Sequence, residues 1–214
     1  MAEPGVTQQT AAAPADAAGL DGPAARSPLA GLLGPMGGPV TIEEHPLLAK
    51  ISLRGDAADP AFLAGAEAAL GLALPTEPLS FVADDAVRIH WIAYDHWMIY
   101  GAEGTEHDLL AALAGRLDAL HHAAVDVSDY YTVIRVSGAK ARALLQKGSP
   151  VDLHPRAFWP GKCTGTVFHH AAVFLAQTAE LEDGGATYDL QIRWSFARYL
   201  WDYLVDGARE WRAA

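Results

Sequence analysis

The amino-acid sequence predicts an α+β fold made of two β-α-β-β-α units, with helices packed on antiparallel sheets. Three observations carry this reading. Segments with strand and helix periods follow one another in the same order in both halves of the chain. The helices of the first half carry recognisable start and stop residues. Within each half, turn residues separate two strands, as hairpins require.

Residues 1–25 (MAEPGVTQQTAAAPADAAGLDGPAA) contain no aromatic residue and are rich in Ala, Pro and Gly. Such a segment buries too little apolar surface to offset its ordering entropy, and a disordered tail is expected. A first lobe is expected over 26–122. It opens with SPLAGLLGPMGG, where Leu29, Leu32 and Leu33 form a short apolar hook. AKISLRG sets Ala49, Ile51 and Leu53 on one strand face and Lys50, Ser52 and Arg54 on the other. DPAFLAGAEAALG is a helix with Asp59 as N-cap, Pro60 in the first position and Gly71 as its stop. VRIHWIAYDHWMIYG reads as a hairpin turning at Tyr94-Asp95. TEHDLLAALAGRLDALHH closes the lobe as a helix capped by Thr105, with Leu109, Leu113, Leu117 and Leu120 on one face.

A second lobe is expected over 123–214. YYTVIRVSG is a strand and AKARALLQKG a short helix ending near Gly148. TVFHHAAVFLAQT and TYDLQIRW read as two strands across the turn EDGG, and Ser195 caps a last helix bearing Phe196, Leu200, Leu204 and Trp211. The halves differ at KGSPVDLHPRAFWPGKC, residues 147–163. Pro150, Pro155 and Pro160 occur there too densely for a helix or central strand, so a long irregular loop is expected.

Composition narrows the function. Hydrophobic content of 51% with 19% charged residues is globular. A net charge of -11 argues against a nucleic-acid partner. The single cysteine, Cys163, excludes an internal disulfide framework and fits a reducing compartment. The first basic residue is Arg26, too late for a charged leader, and no apolar run approaches a membrane span. A cytoplasmic protein is expected, without a membrane or nucleic-acid partner.

Candidate chemistry is sparse. His121-His122 and His169-His170 invite a metal, yet adjacent histidines on a strand point to opposite faces, and neither HExxH nor CxxC occurs. Cys163, beside Lys162, could be a nucleophile, although a lone cysteine is more often a small buried hydrophobe. EDGGAT and SGAKA lack the context of nucleotide-binding loops and read as turns. Asp126 and Asp129 could form an acid–base pair, but Asp and Ser at a strand start ordinarily make turn hydrogen bonds. The last helix carries Phe196, Tyr199, Trp201, Tyr203 and Trp211, with Arg198 and Arg209. Aromatics around more than one face suit either an interface or a core with aromatic rims.

One resemblance adds to this. The segments DVSDYYTVIRVSG (126–138), KGSPVDLHPRAFWPGKC (147–163) and RWSFARYLW (193–201) recur in order in the gamma subunits of heterotetrameric sarcosine oxidases, which this chain resembles. The resemblance implies a non-catalytic subunit with no catalytic, cofactor-binding or metal residues of its own. FAD, FMN, NAD and tetrahydrofolate would then lie in the partner alpha, beta and delta subunits of a complex that oxidatively demethylates sarcosine to glycine. It also makes the loop a partner interface, with Asp152, His154, Arg156, Phe158 and Trp159, joined by Trp201. The second half is similar, too, to the folate-binding first module of the glycine-cleavage aminomethyltransferase. That family usually carries an acidic residue on the strand after the loop, whereas FHHAAVFLAQT has none. The alternative is a stand-alone folate-binding protein of aminomethyltransferase-like fold.

Overall fold

Both halves of the chain run strand, helix, three strands, helix. A computed structural model describes residues 25–211; of the tail expected to be disordered, all but Ala25 lies outside the described residues. After β1 (Thr41–His45), the first half comprises β2 (Ala49–Gly55), α1 (Pro60–Leu70), β3 (Phe81–Ala83), β4 (Arg88–Ala93), β5 (His96–Gly101) and α2 (Glu106–Leu117). Then comes β6 (His122–Asp126). The second half follows as β7 (Tyr131–Gly138), α3 (Ala141–Gln146), β8 (Cys163–Phe168), β9 (Ala171–Glu180), β10 (Ala186–Arg193) and α4 (Trp194–Gly207).

The strands form two antiparallel five-stranded sheets, ordered β3-β4-β5-β2-β6 and β8-β9-β10-β7-β1. Equivalent strands hold equivalent places, so the repeat in element order is also a repeat in space. The fifth strand of each sheet comes from outside the repeat. β1, at the start of the chain, pairs with β7 in the second sheet, and β6, after α2, pairs with β2 in the first.

The local rules explain most elements. Asp59 accepts a hydrogen bond from the Ala61 N–H at 2.8 Å, Pro60 fills the first helical position, and Gly71 closes α1 in the left-handed region at φ 74°. Two caps differ from expectation. Thr105 turns its hydroxyl to the Ala102 carbonyl instead of the helix, and Glu106 and Asp108 in the first turn are left to complement the α2 dipole. α4 begins at Trp194, so Ser195 lies inside its first turn. The run TVFHHAAVFLAQT, expected to be one strand, is the hairpin β8–β9. His169-His170 forms its turn, with His169 at φ 50°. A strand period does not reveal a two-residue turn made of histidines, because neither Gly nor Asn marks it.

Helices cover one face of each sheet. In the first half Ile51, Leu53, Ile89, Trp97 and Ile99 pack on Phe62 and Ala66 of α1 and on Leu113 and Leu117 of α2. In the second, Ile134, Val136, Leu190 and Ile192 pack on Leu144 and Leu145 of α3 and on Leu200, Trp201 and Leu204 of α4. Leu29 of the N-terminal hook joins this second core, whereas Leu33 is exposed. The faces turned away from the helices meet each other, and a small cluster of Met98, Tyr100 and Val133 marks the contact. The layers therefore run helix, sheet, sheet, helix. That stacking is why Lys50, on the expected solvent face of β2, is buried.

Candidate functional site

The loop from Lys147 to Lys162 joins α3 to β8 within the second half and touches the first half at its end. At its start, Lys147 donates to the carbonyl of Gly207, the last residue of α4, at 2.6 Å and pairs with Glu210 in the turn just after that helix. At its end, Lys162 pairs with Glu77 of the first lobe at 2.9 Å and lies 4.8 Å over the Trp159 ring. The Phe81 N–H of β3 donates to the Gly161 carbonyl at 2.9 Å, and the Cys163 N–H donates to the Leu79 carbonyl at 3.0 Å. An antiparallel bridge between Ser80 and Lys162 joins the two sheets at the edges where β3 and β8 begin.

Side-chain hydrogen bonds give the loop its shape. Asp152 accepts from the His154 N–H at 2.9 Å, and the His154 carbonyl accepts from the N–H groups of Ala157 and Phe158 at 2.8 and 2.9 Å. Asp152, His154, Arg156 and Trp159 are exposed, Trp159 at 45%. Phe158 and Trp201, at 5% and 4% exposure, are instead part of the second core, with Leu153. Of the six residues grouped from the sequence, four present surface and two hold the fold.

Between the sheets lies a polar seam that the sequence reading did not identify. Asp189 of β10, only 3% exposed, accepts from Arg135 of its own sheet at 2.7 and 3.0 Å and from Arg88 of the other sheet at 2.5 Å. Burial would raise the Asp189 carboxyl, but the hydrogen bonds from Arg135 and the positive charges of Arg88 and Arg135 outweigh it and hold it below the usual carboxylate range. The Tyr100 hydroxyl donates to Gln191, again from sheet to sheet. His90 is fully enclosed by Phe81, Tyr100 and Phe174. Among the described residues neither of its ring nitrogens has a hydrogen-bond partner. Burial, and secondarily Arg88, hold its imidazole neutral, well below the usual histidine range. Burial likewise lowers Lys50 to about 8, opposed by Asp126 and Asp129, while its ammonium donates to the Leu48 carbonyl at 2.6 Å. One signal for the seam was present. In TYDLQIRW the residues Asp189, Gln191 and Arg193 alternate with Tyr188, Leu190 and Ile192, which reads as a solvent face until a second sheet covers it.

The remaining candidates resolve into structural roles. The Cys163 thiol is buried, donates to the Ser80 carbonyl at 3.1 Å, and is pushed up to about 12 by burial, so it is a protonated thiol in the seam. Asp126 accepts from the Ser128 N–H and hydroxyl at 2.9 and 2.5 Å, a turn hydrogen-bonding pattern. His169 hydrogen-bonds to the Tyr199 hydroxyl and stacks on Tyr203, while His122 contacts the Leu120 carbonyl. No group of three or more potential metal ligands occurs among the described residues. β9 carries its first carboxylate, Glu180, only at its last residue.

The family model described as "Sarcosine oxidase, gamma subunit family" matches residues 54–210, nearly three quarters of the chain. The chain belongs to the sarcosine oxidase gamma subunit family. A family member from Corynebacterium sp. strain P-1, a sarcosine oxidase subunit gamma, is 28% identical over 179 residues, covering 83% of this chain and 84% of that one. Another, from Arthrobacter sp., is 32% identical over 116 residues, 53% of this chain and 55% of the other. Among solved structures, a chain of the heterotetrameric sarcosine oxidase from Corynebacterium sp. U-96, in complex with pyrrole 2-carboxylate, superposes with a TM-score of 0.79 at 27% identity. That superposition covers 89% of this chain and 97% of the other. The glycine cleavage system aminomethyltransferase T from Bartonella henselae superposes with a TM-score of 0.59 at 14% identity, covering 80% of this chain and 47% of that one. The second likeness establishes an aminomethyltransferase-like fold and nothing about activity.

Proposed function

We propose that this chain is a non-catalytic gamma subunit of a cytoplasmic, heterotetrameric sarcosine oxidase that demethylates sarcosine to glycine. Its partners are the alpha, beta and delta subunits, and FAD, FMN, NAD and tetrahydrofolate reside in them. The observation that carries this reading is the superposition, over nearly the full length of both chains, on a chain of a heterotetrameric sarcosine oxidase. The state of the reactive groups is in keeping with it. The Cys163 thiol is buried and protonated, and two arginines already engage the buried Asp189 carboxylate. Among the described residues no helix is long and apolar enough to cross a membrane.

The exposed part of the loop docks on a larger subunit. Arg156 and Trp159 are residue types that dominate binding energy at interfaces, and here they project from a loop fixed at both ends. The test is to tag the chain in its host, purify it gently, and record companion masses and the visible spectrum. A flavin spectrum with larger companions is the expected result. A colourless protein, alone and binding tetrahydrofolate saturably, would overturn the reading. The double variant Arg156→Ala, Trp159→Ala is expected to keep its unfolding midpoint and lose assembly.

A further inference from the structure

The outer edge of β8 is closed at both ends and open in the middle. Alternate residues of an edge strand direct their backbone groups outward, and here these are Cys163, Gly165 and Val167. The Cys163 N–H is taken by Leu79, and beyond the strand the His169 N–H is taken by the Gly148 carbonyl at 2.7 Å. Between them, the N–H groups of Gly165 and Val167 have no partner among the described residues. Their carbonyls meet only the hydroxyls of Thr164 and Thr166, at 3.2 and 3.4 Å.

This edge also lacks the charges that usually blunt one. β1 carries Glu43 and Glu44, β6 ends on Asp126, and β3 is three residues long with its Phe81 N–H already paired. Thr164 to Phe168 contains no charged residue. Val167 is 49% exposed, and a side chain lying over Gly165 would come within van der Waals reach of the Phe174 ring. Exposed Leu79 and Trp159 stand at one end of the gap and Tyr199 at the other.

We propose that this gap receives an extended segment of a partner chain, which adds to the second sheet as a sixth strand. The inference rests on the subunit reading and specifies where the partner binds. Only an extended backbone supplies acceptors and donors at the two-residue period that Gly165 and Val167 present. The gap from Cys163 to His169 spans roughly 20 Å at the rise of a strand, room for four or five residues. The partner is not a second copy. Each chain carries a net charge of -11, so two copies laid edge to edge would repel.

The test compares amide exchange in the purified complex and in the free full-length chain. The peptide covering 164–168 is expected to exchange at least tenfold more slowly in the complex. The variant Val167→Lys should keep its unfolding midpoint and bind its companions at least tenfold more weakly. A complex in which 164–168 exchanges as fast as in the free chain would overturn the docking and leave the subunit reading intact. A free chain that dimerises, protects 164–168 and is dissociated by Val167→Lys would reassign the edge to a second copy. A tagged wild-type chain that captures no companion would overturn the subunit reading, and this inference with it.

Discussion

Two guanidinium groups from different sheets converge on the carboxylate of Asp189, and burial makes that convergence hard to undo. Asp189→Asn keeps the shape but leaves Arg88 and Arg135 facing each other without a counter-charge. The expected loss is about 3–5 kcal/mol, toward the lower end because Arg135 is partly hydrated. Denaturant unfolding of the full chain reads it, and an unchanged midpoint would remove the triad from the account of stability. Arg198→Ala, which breaks the exposed pair with Asp202, is the contrast and should leave the midpoint in place. His90 gives a second prediction, in pH. The folded protein holds its imidazole neutral, whereas the unfolded chain takes up a proton near pH 6.5. Stability therefore falls as pH drops below about 6.5, with a slope of about 1.4 kcal/mol per pH unit for each proton bound only by the unfolded state. His96, also lowered by burial, adds to the same window. Asp189 adds a separate loss at lower pH, beginning as unfolded carboxyls protonate near pH 4. His90→Leu should reduce the slope between pH 6.5 and 5 by one proton. Since neither ring nitrogen has a partner to strand, it should not destabilise the protein at pH 7. An unaltered slope would mean that His90 is hydrated or paired in solution.

The proline-studded loop shows how one element combines two tasks in adjacent residues. Phe158 points inward and Trp159 outward. Phe158→Ala is expected to cost about 3–5 kcal/mol through lost burial and the cavity left behind. Trp159→Ala should leave the unfolding midpoint nearly unchanged while weakening assembly. Thermal unfolding of the two single variants separates them, and equal losses would place Trp159 in the core. At this scale much was legible in advance. Asp59, Pro60 and Gly71 marked α1 correctly because capping is a local event written in three residues. The strand β1 and the split of β8 from β9 were not legible. TIEEH alternates weakly and owes its place to β7, and the His169-His170 turn lacks turn residues and is held by contacts with Gly148 and Tyr199. The surface residues of the loop could be read from composition, but not that Phe158 and Trp201 face inward. Burial of a large aromatic is decided by what covers it, which a single sequence does not state.

At the scale of the whole molecule, the exchange of edge strands binds the two halves more firmly than their sequence order suggests. Lobes spanning 26–122 and 123–214 are the units expected from the sequence. Yet β1 completes the sheet of the second half, and β6, which pairs with β2, straddles that division. Leu29 and Val40, at the N-terminal end of the first half, are buried in the core beneath α4. The seam adds sheet-to-sheet bonds through Arg88, Tyr100 and Cys163. A fragment of residues 123–214 would therefore expose the edge of β7, lose part of its core, and leave Asp189 with one arginine in place of two. It is expected to be unfolded or aggregated alone, and to recover native structure when co-expressed with residues 26–122, which return β1 and Arg88. Circular dichroism and size-exclusion chromatography of the fragments, separately and together, test this. Independent cooperative folding of 123–214 would show that neither β1 nor the seam is needed to hold the second sheet. The intact chain should unfold in a single transition, since each sheet lacks an edge strand until the other half supplies it or holds it in place. Two resolved transitions in calorimetry would contradict that coupling directly.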